Sequence, residues 1–149
     1  MPISQAMVTS FKVEILNGIH ALGTTVVRAS TTPDTFKIAL YTSSANLGAS
    51  TTVYTTVDEV TGTNYTAGGI VLTVSQVPTS SGTTAWLDFD DAVFTNVSLT
   101  ANGALIYNAS QGDKAVAVLA FGSDKTATAG NFTIQFPAAS STTAILRIA

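Results

Sequence analysis

The sequence predicts an all-β fold: a jelly-roll-like antiparallel β-sandwich entered through an N-terminal amphipathic helix, in a single domain over residues 1–149. Three observations carry this expectation. After Thr24 the chain breaks into about eight or nine short apolar runs, roughly 8–15 residues apart, with turn residues between them; that is sandwich spacing, not βαβ alternation. Only one segment, at the start, carries a helical period. The length, 149 residues, suits one domain that buries a full core.

The helix is expected over Ser4–Leu22. Val8, Phe11, Ile15, Ile19 and Leu22 recur at steps of three and four and share one stripe. Thr9, Ser10, Asn17 and His20 fall opposite. Ser4 suits an N-cap and Gly23 a stop, while Gly18 weakens the last turn. Such a helix is not stable alone, so its stripe must pack on something. A strand follows at Thr35–Tyr41 (TFKIALY), introduced by Pro33-Asp34. Ser43–Ser50 reads as a small-residue loop, Val53–Val60 as mixed strand and loop, and Thr61–Gly69 (TGTNYTAGG) as a glycine-punctuated loop. Ile70–Val77 is a strand closed by Pro78, and Ser80-Ser81-Gly82 a turn. Thr84–Asp90 (TAWLDFD) alternates Trp86, Asp88 and Asp90 against Leu87 and Phe89. Val93–Leu99 is the next strand and Asn102-Gly103 a turn. A hairpin spans Ala104–Gly122 around Ser110–Asp113. Asp124–Gly130 reads as a loop, Phe132–Phe136 as a strand, Pro137–Thr142 as a loop and Ala144–Ile148 as the last strand.

The hairpin poses a packing question. Leu105 and Tyr107 point one way, Ala104 and Ile106 the other, and the return arm is apolar on both faces as well. One face belongs to the opposing sheet. The second needs another cover, and the two candidates are the helix stripe and a neighbouring subunit.

Composition narrows function. Charged residues are 10% of the chain, against about 25% in ordinary domains, and mean hydropathy is +0.37. Serine and threonine make up roughly a quarter of the residues. A monomer normally stays soluble through charge, so this surface reads as one that works against other protein. Six dispersed Lys and Arg and a net charge of −3 leave no footprint for nucleic acid or an anionic membrane. No cysteine means no disulfide framework and no thiolate metal site. The N-terminus does not read as a signal peptide and no run reaches membrane length, so synthesis in a cytoplasm is expected.

Chemistry-bearing clusters are sparse. Asp88 and Asp90, with Asp91 beside them, share a strand face and offer oxygens to a calcium ion, yet such an ion takes six to eight ligands; a solvated strand end is the simpler reading. His20 is the one histidine and lies on the polar side of the helix, where an exposed residue is expected. No nucleophile elbow, phosphate loop or dinucleotide fingerprint occurs. Asn64, Asn96, Asn108 and Asn131 each begin an Asn-x-Ser/Thr triplet, best explained by the abundance of Ser and Thr. Tyr41, Tyr54, Tyr65 and Tyr107 could form a sugar platform, but their scatter along the chain favours core and interface roles. No catalytic residue, cofactor or metal is assigned.

Three stretches resemble a known family: SFKVEILNGIHAL with DTFKIALYTSSANL; TTVYTTVDEVTGTNYTAGG; and AWLDFDDAVFTNVSL through GALIYNASQGDKAVAVLAFGSDKTATAGNFTIQFP to AILRIA. Together they cover nearly the whole chain. It resembles small virion proteins encoded by tailed bacteriophages. The resemblance implies a structural part of the particle, with no catalytic or ligand residue to carry over. The leading expectation is a capsid decoration (cement) protein on the outer surface of the virion, a homo-oligomer (dimer or trimer) bound to the major capsid protein. The alternative is a tail or tail-fibre component that contacts a host glycan. A glycan-active enzyme or lectin is the third reading. The contact residues expected are Ser43, Ser44 and Asn46 of one loop, Asn64, Tyr65 and Thr66 of the other, and Phe11 and Ile15 of the helix stripe.

Overall fold

The computed structural model describes residues 3–16, 18–24, 33–82 and 84–148. Along the chain these form β1 (Ala6–Met7), α1 (Thr9–Leu16), β2 (Phe36–Tyr41), β3 (Ile70–Val71), β4 (Val74–Ser81), β5 (Thr84–Phe89), β6 (Ala92–Asn108), β7 (Lys114–Ile134) and β8 (Leu146–Ile148). The strands make two antiparallel sheets, β1-β7-β6-β2-β3 and β4-β5-β8, so the fold is an all-β sandwich. A jelly roll has eight strands in two Greek keys; the described strands divide five and three. No described helix is long and apolar enough to cross a membrane.

The β6–β7 hairpin organises the larger sheet. Its arms are 17 and 21 residues long. Near the turn every residue from Gly103 to Asn108 and from Ala115 to Leu119 is buried. The register sets Ile38, Ile106 and Ala117 in one row and Leu40, Ala104 and Leu119 in another; between them run Ala39, Leu105 and Val118. The face of β2 that carries Phe36, Ile38 and Leu40 meets the smaller sheet through Phe89, 6.1 Å from Phe36 between ring centroids. The same face meets α1 through His20, which lies between Phe36 and Phe11.

The opposite face of the hairpin is covered neither by the helix stripe nor by a neighbouring subunit. Its cover is the segment 42–69, which runs back over it. Tyr54 stacks on Tyr107 at 4.7 Å, and Val60 ties the segment to the edge of β2 by donating its amide to Leu40 O at 2.9 Å. This segment is a loop whose apolar residues follow no period, so nothing in its pattern marks it as a lid over a sheet.

Several expected boundaries shift. β6 passes straight through Asn102-Gly103, where a turn was expected. Gly103 is there for space: a Cβ would come within 2.6 Å of Leu119 O and 2.7 Å of Ile3 Cδ1. Asp124–Gly130, expected as a loop, lies inside β7. Its turn residues are absorbed by irregularities in the β6–β7 ladder, beside which Asn96, Gly122 and Ala129 adopt positive φ. Ile70–Val77 splits into β3 and β4, and β4 continues through Pro78. Proline is tolerated because β4 is an edge strand with a register shift between Gln76 and Thr79.

The helix is shorter than Ser4–Leu22. Ser4 is no cap; its amide donates to Leu47 O at 2.9 Å, and Ala6–Met7 pair with β7 instead. At the other end Ile19 N–H bonds Glu14 O and Gly18 N–H bonds Ile15 O, with Gly18 at φ 69°. That is a Schellman stop, one glycine earlier than Gly23. Val8, Phe11 and Leu22 are buried, while Ile15 and Ile19 are partly so. Asn17, expected on the polar side, lies outside the described residues.

Candidate interaction surface

The loop segment 42–69 is tied to one buried carboxylate. Glu59 accepts from the Tyr54 hydroxyl at 2.5 Å, the Tyr65 hydroxyl at 2.7 Å and the Gly68 amide at 2.7 Å. The Tyr107 hydroxyl donates to Gly68 O at 2.7 Å and the Tyr41 hydroxyl to Thr55 O at 2.6 Å. Tyr65 also accepts the Leu40 amide at 2.9 Å, in place of a strand partner. All four tyrosines of the chain thus converge on one site. Burial pushes each phenol up, with the Glu59 charge adding to it; Tyr107 rises to about 12 and the other three go beyond it. Their hydroxyls point inward as donors, which suits a structural pin rather than a sugar platform.

This pin fixes how the expected contact residues are displayed. Ser43, Ser44, Asn46, Asn64 and Thr66 are exposed. Asn64, Tyr65 and Thr66 line a hollow of about 140 Å³ with Val93 and Phe94 of β6. Tyr65 is half-buried, its hydroxyl spent on Glu59 and Leu40. Phe11 is unavailable to a partner: it is 1% exposed, packed edge-on against His20 at 4.8 Å. Ile15 is partly buried in an apolar slot between α1 and the smaller sheet.

Beyond the buried half of the hairpin, β6 and β7 continue outward as a ribbon. One face carries Phe94, Val97, Leu99, Phe132 and Ile134, all buried. The other is a hydroxyl and amide ladder. Thr100 and Thr126 bond through their hydroxyls at 2.9 Å, Asn102 donates to Asp124 at 3.0 Å, and Ser98 accepts the Ala129 amide at 2.9 Å. Sequence reasoning missed this face because Asp124–Gly130 looked like a loop. The available signal was period-two alternation on either side of it, in Val93–Leu99 and Phe132–Phe136.

Family models, curated proteins and solved structures offer no match to this chain.

Two further polar groups are structural in their geometry. His20, expected exposed, is buried beyond the helix end, because the Schellman turn sends the chain back into the core. It bonds Glu14 Oε1 at 3.1 Å and Asn108 Nδ2 at 3.1 Å, and Asn108 donates to Asp34 at 2.9 Å. Asn108 is fully buried and is therefore no glycan acceptor. Asp88, Asp90 and Asp91 do not share an ion site. Asp88 is buried and takes the Phe89 amide at 2.9 Å, Asp91 takes the Phe136 amide at 2.8 Å, and Asp90 lies exposed past the strand end. Burial pushes the Asp88 carboxyl above its ordinary range, with the backbone amides pulling the other way. Among the described residues no three His, Asp or Glu side chains gather as a metal cluster.

Proposed function

We propose that this chain is a structural virion protein of a tailed phage, a capsid decoration protein that binds the major capsid protein and links neighbouring shell subunits. The observation that carries the reading is the exposed face of the β6–β7 ribbon, a pre-ordered ladder of Ser98, Thr100, Asn102, Asp124 and Thr126. Side chains already held by one another lose little freedom on docking, so a modest contact keeps more of its free energy. Many copies on one shell multiply such a contact. The low charge and hydroxyl-rich composition support the same reading, since a surface of this kind is poorly suited to a free monomer. The resemblance read from the sequence suggests the same role. The proposal assigns the chain no catalytic step, and it places several copies around a symmetry axis as a dimer or trimer.

A particle reconstruction tests this directly. The chain should appear as density over the whole outer shell, in hundreds of copies. Density confined to the tail would overturn the decoration reading in favour of a tail or fibre component. Shell density with only a few copies would remove the linking role.

A further inference from the structure

Among the described residues, the outer edge of β7 is open where the ribbon leaves the core. β1 covers β7 at Ala117 and Val118 only, and the Gln5 side chain takes the Ala120 amide at 3.3 Å. From Phe121 to Ile134 the edge meets no strand among the described residues. Outward N–H and C=O groups on such an edge form a template for an added strand. A groove of about 450 Å³ lies against it, lined by Phe121, Lys125, Ala127, Phe132 and Ile134 among others. That volume falls in the range of sites that hold side chains or small ligands.

We propose that this edge receives an extended strand of a partner protein, one that carries an acidic residue opposite Lys125 and an apolar residue for the groove beside it. Lys125 is the single cation between Ala115 and Ile134. It sits across the ladder from the buried Ala101 and lines the groove. The neighbouring Asp124 is held on the other face by Asn102 at 3.0 Å. A second copy of β7 therefore does not complement it: facing residues of an antiparallel pair share a face, and a copy's only carboxylate there lies on the wrong one. A foreign strand supplies the acid and, two residues along, the apolar side chain. The inference rests on the shell-binding reading in one respect, that an arm of the shell protein is the strand in question; the chemistry of the edge stands apart from it.

The test uses the full-length protein and a synthetic peptide of about ten residues, alternating Thr and Val with one central Glu, and its Lys counterpart. In a nitrogen-15-labelled sample the Glu peptide should protect the backbone amides of residues 122–134 from hydrogen exchange. Lys125→Glu, an exposed substitution, should weaken that binding about five- to ten-fold, and the Lys peptide should restore it. Absence of protection at millimolar peptide, or protection elsewhere, overturns the proposal. So does protection that grows with protein concentration alone, which would assign the edge to a second copy. Pairing of Lys125→Glu with both peptides alike would make Lys125 a guard against stray pairing and overturn the acid preference. On particles, Lys125→Glu bound at wild-type copy number would defeat the edge assignment and leave the shell reading intact. A chain absent from the shell whose edge still takes the Glu peptide would do the reverse.

Discussion

Glu59 is buried where three donors meet it, two of them tyrosine hydroxyls. A carboxylate so surrounded is satisfied without a cation, and each donor in turn loses its own contact with water. Tyr65 is the most exacting of them, since its oxygen both donates to Glu59 and accepts the Leu40 amide. Tyr65→Phe should leave a buried amide and one carboxylate lone pair unmatched. The expected loss is about 1–3 kcal/mol, read as a lower urea midpoint at unchanged slope. The four phenols give a second expectation. Their folded pKa values are raised, so the native state favours the neutral form. This contribution to stability is complete below the ordinary tyrosine value near 10 and is lost as pH climbs toward and past about 12. Absorbance of the phenolate should therefore stay flat through about pH 11 in the folded protein and rise only with alkaline unfolding. A native sample that titrates near pH 10 would show the cluster to be open to water.

At the level of elements, two short devices decide what the N-terminal segment does. The Schellman stop at Gly18 ends α1 early, and the chain that follows delivers His20 and Leu22 into the core. Phe11 is held between that return and the sheet. Phe11→Asp, which would remove a partner contact if the stripe were an interface, should instead prevent folding, because an unpaired carboxylate takes the place of a buried ring. Circular dichroism should show loss of the β signal; a folded Phe11→Asp protein would mean the ring is not in the core. The second device is Gly103, which leaves room for Ile3 and the Leu119 carbonyl where a Cβ would stand. Gly103→Ala overfills that contact, and overpacking of this kind costs about 1–3 kcal/mol, measurable as a lower thermal midpoint. The N-terminal bridge between Ile3 and Leu47 should loosen first, and amide exchange at Ser4 reports it.

Outside the β4–β5 and β6–β7 pairings, the strand pairings are remote in sequence. β1 joins β7 at Ala6–Val118, β2 joins β6 at Phe36–Asn108, and β5 joins β8 at Ala85–Ile148. Loop closure must precede every one of these contacts, so refolding should take milliseconds to seconds, not the microseconds of a local hairpin. Stopped-flow fluorescence of Trp86 in β5 measures it; a microsecond phase with full amplitude would contradict the topology. The same remoteness explains which features were legible beforehand. Alternation and turn residues were enough for an all-β sandwich, for β2 and β5, and for the turn at Ser110–Asp113, because each depends on neighbours within a few residues. The loops Ser43–Ser50 and Thr61–Gly69 were legible for the same reason. The lid made by 42–69, the gathering of four tyrosines around Glu59 with two of them bonded to it, the burial of His20 and the extension of β7 through Asp124–Gly130 were not. Each is set by a partner far along the chain: Glu59 by Tyr54, Tyr65 and Gly68 folded back together, His20 by Asn108, β7 by its ladder to β6. Local pattern determined the fold class. Only tertiary packing decided which polar groups are buried, which strand edge is open, and so where a partner could bind, because a buried carboxylate or an unpaired edge is a property of what surrounds a residue and not of the residue itself.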